Sequence, residues 1–287
     1  MSLRALFDLP APAKINLFLH VTGRRADGYH LLQSVFALVD WCDTLHLECR
    51  DDGRLQRHDL GPALPPDDLC LRAARALRQA SGTRLGADLT IEKRLPWGAG
   101  LGGGSSDAAT VLLGLNRLWG LHWPRERLAA LALGLGADVP FFIGGRNAWV
   151  EGIGEQLQAI ALPPQRWLLL KPPIAVPTAA IFASPLLGRN TKVATLLDFL
   201  ADPTGFRHND LQGPAMAYSS EVQEAVALAA QCGTHSRMTG SGSAVFAEIG
   251  SEAQAARARQ ILKELPDGWS GWLGRGLDHH PLLDFAS

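Results

Sequence analysis

One glycine-rich stretch, Leu95–Ala109, decides how this chain is interpreted, and its sequence is LPWGAGLGGGSSDAA. Five glycines fall between positions 98 and 104, and glycine lets backbone amides approach an anion closely and adopt positive φ without steric cost. The strand-like run Ala87–Ile91 precedes the stretch, and the helix-like run Ala108–Trp119 follows it. Because ordered elements flank it on both sides, we favour a structured anion-binding loop over a flexible linker.

The start of the following helix indicates what the loop binds. The first amides of a helix are free and its dipole is positive at that end, so a phosphate is stabilised there. Ser105, Ser106 and Asp107 are residue types that cap helices. The predicted phosphate-binding residues are Pro96, Gly98, Gly100, Leu101, Gly102, Gly103, Gly104, Ser105 and Ser106.

The two most familiar phosphate loops do not account for this stretch. From Gly98 the glycine spacing matches the dinucleotide fingerprint, but no Asp or Glu lies between Trp119 and Arg125 to hold a ribose. We also expect the helix to begin after Gly104, too late for the tight turn of that motif. A Walker loop ends in Gly-Lys-Ser or Gly-Lys-Thr, whereas this loop contains no lysine.

Composition and charge exclude several classes of function. The chain has 287 residues, 47% hydrophobic and 19% charged, which is typical of a globular protein of one large or two ordinary domains. A net charge of −1 gives no global basic field for nucleic acid or an anionic membrane. No apolar run reaches about 18 residues, and residues 1–12 do not resemble a signal peptide. We expect a cytoplasmic protein that binds neither nucleic acid nor membrane.

Neither the cysteines nor a histidine pair predicts a metal site. The cysteines, which form no C-x-x-C pair, are Cys42, Cys49, Cys70 and Cys232. A cytosolic chain of this length has no need of disulfides, so reduced thiols are expected. His279 and His280 have no further ligand in view, and we expect a surface pair.

The segment Ala13–Val21 alternates in polarity and predicts a half-buried strand. Lys14 and Asn16 lie on one face with Phe18 and His20, two residues apart. This spacing allows the lysine and the asparagine to point into one site. From the pattern alone, a solvated strand face is the favoured explanation.

Tyr29 and His30 follow a turn-rich loop, Thr22–Gly28. Such a pair can anchor a loop on the core, and the pattern alone favours that interpretation. The pair can also offer a stacking ring and a hydrogen-bonding imidazole to a planar ligand.

Asp138 stands between a glycine helix stop at Gly136 and Pro140, with Phe141 and Phe142 beyond. A carboxylate among apolar residues must be hydrogen-bonded or paired if it is buried. It either caps the next helix or is held rigidly beside the phosphate loop.

The second half of the chain contains further elements. We place a domain boundary close to Gly152, with one domain at 1–152 and a second at 153–287. Thr178–Phe182 is predicted to begin a helix, and Asn209 with Asp210 to cap another.

Three motifs stand in order along the chain, Pro12–Leu17, Leu95–Ala109 and Met238–Gly242. Together they resemble the GHMP kinase superfamily, and the similarity runs nearly end to end. The segments Arg25–His30 and Gly136–Phe141, with Asn209-Asp210-Leu211, are most similar to the members whose acceptor carries a cytidine diphosphate. Trp97 departs from the pattern, where a smaller residue is expected.

The resemblance implies a two-domain α+β fold with the active site in the cleft between the domains. It implies an ATP-dependent transfer of the γ-phosphate to an acceptor hydroxyl, with Mg²⁺ as cofactor and small-molecule partners only. A monomer or a homodimer fits this expectation.

The resemblance also implies roles for individual residues. Asp138 corresponds to the proposed base, and Lys14 to the lysine beside it. The residues implied at the substrate are Asn16, Tyr29, His30, Thr178 and Phe182. Tyr29 and Phe182 are expected on opposite faces of the cytosine. The metal ligand is left open between Ser105 and Ser106.

Three other functions fit the sequence less well. A homoserine or mevalonate kinase would have no base to stack on Tyr29 and Phe182. A regulatory nucleotide-binding protein would keep the loop without needing Lys14 and Asp138 together. A dehydrogenase is disfavoured by the missing ribose acid.

Overall fold

The computed structural model describes residues 3–61, 63–232 and 234–287, which form two β-sheets with helices packed on them. The strands of the first sheet are β1 (Ala5–Arg24), β2 (His30–Arg50), β3 (Leu55–Leu60), β4 (Gly86–Glu92), β5 (Ala148–Glu151) and β6 (Gln156–Ala159). Their order is β3-β4-β2-β5-β6, with β1 also paired to β2. All pairs are antiparallel except β3 with β4.

Four helices share a hydrophobic core with this sheet. They are α1 (Leu69–Ser81), α2 (Gly103–Leu118), α3 (Arg125–Leu133) and α4 (Val139–Gly144). Asp68 caps α1, since its carboxylate accepts a hydrogen bond from the Leu71 amide at 3.1 Å. The α2 helix begins at Gly103, earlier than the predicted start after Gly104, because Gly103 and Gly104 themselves open its first turn.

The second sheet has the antiparallel order β10-β7-β9-β8. Its strands are β7 (Arg166–Lys171), β8 (Thr234–Met238), β9 (Val245–Glu248) and β10 (Ser270–Arg275). The remaining helices are α5 (Thr178–Ala183), α6 (Leu196–Ala201), α7 (Gln212–Tyr218), α8 (Ser220–Ala229), α9 (Glu252–Lys263) and a short 3₁₀ turn, Leu283–Phe285.

The expectation of a half-buried β1 is wrong, because its residues from Ala11 to Val21 are buried on both faces. A third cluster of apolar side chains joins the two sheets, and Ile15, Phe18 and Phe246 belong to it. The register of β1 also shifts between Asn16 and Leu19, which breaks the simple alternation. A strand enclosed in this way can hold polar side chains rigidly.

The predicted division at 152/153 stays a prediction, although two connections cross it. The β6 strand, beyond the division, pairs with β5. The end of the chain returns to the first half, where the Arg125 amide donates to the Ser287 carbonyl at 2.8 Å and the His280 amide donates to the Gly145 carbonyl at 2.8 Å.

The expected histidine surface pair is wrong for His280, which is fully buried. Its Nδ1 accepts a hydrogen bond from the Leu282 amide at 3.0 Å. Burial lowers the pKa of His280 to about 3. Among the described helices, none combines the length and the apolar character that a membrane crossing requires.

Candidate active site

Three neighbouring cavities share their walls. A loop cavity of about 460 Å³ lies against the glycine-rich stretch, a central cavity of about 350 Å³ lies beside it, and an outer cavity of about 630 Å³ follows. The loop and central cavities share Gly98, Gly100 and Gly102. The central and outer cavities share Thr178 and Phe182. The row offers space for one long ligand or for two ligands meeting in the middle.

Lys14 and Asp138 face each other in the central cavity. The Lys14 Nζ atom lies 3.4 Å from the Asp138 Oδ2 atom. The lysine side chain is 5% exposed and the carboxylate 32% exposed, so the lysine is enclosed while the carboxylate is open to the cavity. Asp138 occupies the N-cap position of α4, but its side chain makes no capping hydrogen bond. The capping explanation of Asp138 is therefore not supported.

Neighbouring groups fix the position of the Lys14 ammonium. It donates a hydrogen bond to Asn16 Oδ1 at 2.8 Å and lies 4.1 Å from the centre of the Phe36 ring, a cation–π distance. The Lys14 amide donates to the Leu101 carbonyl at 2.9 Å, which ties β1 to the glycine loop. The solvated-face explanation of Lys14 is wrong, because the side chain is buried and fully engaged.

Asn16 links Lys14 to two hydroxyl groups. Its Nδ2 donates to Ser34 Oγ at 2.9 Å, and its backbone amide donates to Thr239 Oγ1 at 2.9 Å. Thr239 belongs to the third sequence motif, yet sequence reasoning gave it no role. Its position next to Gly240 in that motif was the sequence feature that could have indicated a role at the site.

The glycine loop is held against the third motif through backbone contacts. The Ser243 amide donates to the Gly98 carbonyl at 3.3 Å. A Cβ atom on Gly100 would lie 2.4 Å from the Thr239 carbonyl oxygen, and Gly100 has a φ of +74°. Only glycine allows the two loops to approach this closely. All three sequence motifs thus meet around one point.

Most of the predicted phosphate-binding residues line the loop cavity. These are Pro96, Gly98, Gly100, Leu101, Gly102, Gly103, Gly104 and Ser105. Ser106 does not line it and is buried. The prediction that Ser105, Ser106 and Asp107 cap the helix is wrong, because Gly102 is the N-cap and no side chain caps the helix there. The free amides of the first turn therefore remain available to a ligand.

Sequence reasoning missed a second charged cluster beneath the loop. The Lys93 ammonium donates to Asp43 and, at 2.6 Å, to Asp107. Asp43 also accepts from the amides of Arg94 and Leu95 at 2.6 and 2.8 Å. Burial raises the pKa of Asp107, and the nearby Asp43 carboxylate raises it further, while the Lys93 ammonium opposes the shift. Sequence spacing could not reveal this contact, because Asp43 comes from a distant strand.

The outer cavity is lined by Tyr29, His30, Thr178 and Phe182, all four predicted at the substrate. The His30 ring stacks on the Phe182 ring, with centres 4.9 Å apart and an angle of 27° between the planes. The Tyr29 residue is 61% exposed at the cavity mouth. In this structure the ring that stacks on Phe182 is therefore that of His30. The stacking of a base between Tyr29 and Phe182 stays a prediction.

The described residues contain no group of three or more His, Cys, Asp or Glu side chains arranged for a metal ion. Mg²⁺ bound to a nucleotide typically uses only one or two protein ligands besides phosphates and water. The buried Ser106 hydroxyl in the first turn of α2 has no hydrogen-bond partner among the described residues, and Ser105 lies at the loop cavity. Either hydroxyl could therefore serve as the single protein ligand of a nucleotide-bound Mg²⁺ ion.

Two family models match the chain. The GHMP kinases N-terminal domain matches residues 68–146, and the GHMP kinases C-terminal model matches residues 186–267. A crystal structure of 4-(cytidine 5′-diphospho)-2C-methyl-D-erythritol kinase superposes with a TM-score of 0.80 at 38% identity, covering 94% of this chain and 98% of that one. A mevalonate kinase structure, at 13% identity and a TM-score of 0.69 over 95% and 100% of the two chains, shares the fold.

Curated relatives match over the full length. A protein of Methylibium petroleiphilum named 4-diphosphocytidyl-2-C-methyl-D-erythritol kinase is 67% identical over 286 residues, covering 100% of both chains. A protein of Paracidovorax citrulli with the same name is 53% identical, covering 99% of both.

Proposed function

The chain belongs to the GHMP kinases, and from this premise we propose that it phosphorylates 4-diphosphocytidyl-2-C-methyl-D-erythritol. As an ATP-dependent small-molecule kinase, it moves the γ-phosphate of ATP to the 2-hydroxyl of the methylerythritol part. The reaction is a step of non-mevalonate isoprenoid precursor biosynthesis, which we place in the cytoplasm, and the enzyme acts as a monomer or a homodimer.

The observation that carries the proposal is the row of three cavities, with the Lys14–Asp138 pair in the middle one. The ATP phosphates would occupy the loop cavity, against the amides at the start of α2. The cytidyl group would occupy the outer cavity. The acceptor hydroxyl and the γ-phosphate would then meet in the central cavity, beside Lys14 and Asp138.

Phosphoryl transfer requires mainly positioning and charge neutralisation. Asp138 has its carboxylate open to the central cavity and is free of capping contacts, so it can accept the hydroxyl proton. The Lys14 ammonium, held by Asn16 at 2.8 Å, can offset the negative charge that develops on the transferred group. The enclosed lysine needs no reorganisation when the reaction occurs.

Mg²⁺ is part of the proposal, with Ser105 or Ser106 as the protein ligand. When bound, the ion would neutralise the charge of the β- and γ-phosphates. The chain's own contribution would be to hold both hydroxyls in the first turn of α2, with Ser105 at the loop cavity and Ser106 buried behind it.

The acceptor distinguishes this proposal from the other small-molecule kinases of the family. Tyr29, His30 and Phe182 line the outer cavity with aromatic or planar rings. Stacking on such a ring contributes roughly 1–3 kcal/mol per base in nucleic-acid-binding proteins. Homoserine and mevalonate have no base, so these rings would have no stacking partner in a kinase for either acceptor.

An acceptor panel tests the proposal. The purified chain is incubated with ATP, Mg²⁺ and either 4-diphosphocytidyl-2-C-methyl-D-erythritol, mevalonate or homoserine, and the products are identified by ³¹P nuclear magnetic resonance. We expect a new phosphomonoester with the cytidyl substrate only. Phosphorylation of mevalonate or homoserine in its place, or none of the three, contradicts the proposed function.

A further inference from the structure

One hydrogen bond in the wall of the outer cavity fixes the chemistry of His30. Arg189 donates from Nε to the Nε2 atom of His30 at 3.1 Å. A guanidinium group has donors and no acceptor, so Nε2 must accept and carries no hydrogen. In the neutral imidazole the single ring proton is therefore on Nδ1.

Arg189 is itself held in a defined position. Its Nη1 donates to the Leu187 carbonyl at 3.0 Å, and its Nη2 donates to the carbonyls of Phe182 and Ser184 at 2.8 and 3.0 Å. These carbonyls belong to the end of α5 and the turn after it. Because His30 stacks on Phe182, the guanidinium and the two rings form one rigid unit.

The charges near His30 keep its ring neutral. Partial burial lowers the pKa of His30 below its usual value, and the guanidinium groups of Arg189 and Arg24 lower it further. Arg24 donates to the Gly28 carbonyl at 3.0 Å, so its influence on His30 is that of a nearby charge. At neutral pH the outer cavity is therefore lined by a neutral imidazole that bears an Nδ1–H donor.

We propose that Arg189 is a specificity-determining positioning residue, which occupies Nε2 of His30 and thereby makes Nδ1 a fixed hydrogen-bond donor to the substrate's base. The inference rests on the proposed function. Cytosine has an unprotonated N3 that accepts such a bond, whereas N3 of uracil carries a hydrogen that would face the donor. A donor that cannot become an acceptor selects cytosine over uracil.

The tautomer is measured by long-range ¹H–¹⁵N correlation spectra of protein labelled with ¹⁵N-histidine. The chain has nine histidines, and a His30→Gln sample assigns the signals of His30. We expect the Nδ1–H form in the wild type. The Arg24→Met variant, which removes a nearby charge but no bond to the ring, should retain that form. Arg189→Met should show the Nε2–H form in a substantial fraction. A wild-type His30 in the Nε2–H form, or an unchanged tautomer in Arg189→Met, overturns the proposal.

Base selectivity is measured by calorimetric titration with cytidine 5′-diphosphate and uridine 5′-diphosphate, on protein saturated with a non-hydrolysable ATP analogue. Leaving a buried donor or acceptor unmatched costs about 1–3 kcal/mol, or roughly 5- to 150-fold. We expect the preference for the cytidine nucleotide to fall by roughly tenfold or more in Arg189→Met. Arg189→Lys, which keeps a donor, should retain most of the preference, as should Arg24→Met.

Equal weakening of both nucleotides in Arg189→Met would mean that Arg189 only supports the fold, and it would overturn the proposal. Circular dichroism checks that each variant is folded, and the wild-type spectrum tests the tautomer without any variant. Neither measurement needs turnover. A chain that fails to phosphorylate the cytidyl substrate would therefore refute the proposed function while still giving the tautomer and the affinity ratio.

Discussion

Two clusters of lysine and aspartate contact adjacent glycines of the same loop, and they differ in almost every other respect. A Cβ atom on Gly102 would lie 3.2 Å from Lys14 Cγ, and one on Gly103 would lie 3.5 Å from Lys93 Nζ. In the first cluster the carboxylate of Asp138 is 32% exposed. In the second, Asp43 is fully enclosed and its carboxylate accepts several hydrogen bonds.

The difference indicates which cluster can perform chemistry. A carboxylate whose lone pairs are taken by backbone amides and a lysine, as in Asp43, is occupied in holding the loop. Asp138 contacts only the Lys14 ammonium among the described ion pairs and faces a cavity. We therefore propose that the Lys14 cluster carries out phosphoryl transfer and that the Lys93 cluster supports the loop. Substitutions in the two clusters should separate rate from stability.

The largest expected effect is the loss of catalytic rate in the Asp138→Asn variant. The amide keeps the shape of the side chain but cannot accept the hydroxyl proton. General-base catalysis is typically worth about 10²- to 10⁴-fold, so kcat should fall by that order, with little change in either KM or in the melting temperature. Steady-state kinetics with calorimetry of unfolding checks this. A kcat within a few-fold of the wild type would leave Asp138 without a catalytic role.

Asp43→Asn should have its main effect on stability. Its carboxylate is buried with the Lys93 ammonium and two backbone amides, and breaking such a pair costs about 3–5 kcal/mol. The free energy of unfolding, measured by denaturant titration, should fall by up to that amount, because the Asp107 carboxylate still pairs with the Lys93 ammonium. If the variant is as stable as the wild type but loses its chemical step, the assignment of the two clusters is reversed.

Tyr29 lies outside both clusters, at the outer cavity, so Tyr29→Ala should weaken binding of the cytidyl substrate. Loss of stacking should raise the KM for the cytidyl substrate by roughly 5- to 100-fold, and the KM for ATP should change much less. Initial rates with each substrate varied in turn measure both constants. Equal changes in the two KM values, or no change, would refute a role for Tyr29 in holding the base.

The smallest effect is expected for Asp107→Asn, and it should depend on pH. Because burial raises the pKa of Asp107 in the folded protein, folding favours the protonated carboxyl. That contribution is complete below the unfolded-state pKa of 3.8 and is lost as the pH rises through the raised native value. The asparagine variant has no such loss, so its stability relative to the wild type should improve with rising pH. A difference that is constant, or that favours the wild type at higher pH, contradicts a raised pKa of Asp107.

Residues that form a local pattern were predictable from the sequence. The glycine loop and the strand of Lys14 both depend on spacing within one short segment. The pairing of Lys14 with Asp138 followed from the resemblance, and the 3.4 Å distance agrees with it.

Features that depend on long-range packing were not predictable. Asp43 reaches Lys93 across 50 positions and Arg189 reaches His30 across 159. β1 is buried on both faces because the second sheet packs on it, and the sequence of β1 alone does not predict that packing. The start of α2 was misplaced because glycine has a low helix propensity, and here packing and the loop contacts outweigh that propensity.

The central claim is that Lys14 and Asp138 act as one unit in the chemical step. Single-turnover phosphoryl transfer to the cytidyl substrate should be measured for Lys14→Met, Asp138→Asn and the double variant, with circular dichroism as the control of folding. Each single change should slow the step, and the double variant should lose much less than the product of the two separate losses. A loss in the double variant equal to that product would show that the two residues act independently, and it would contradict the claim.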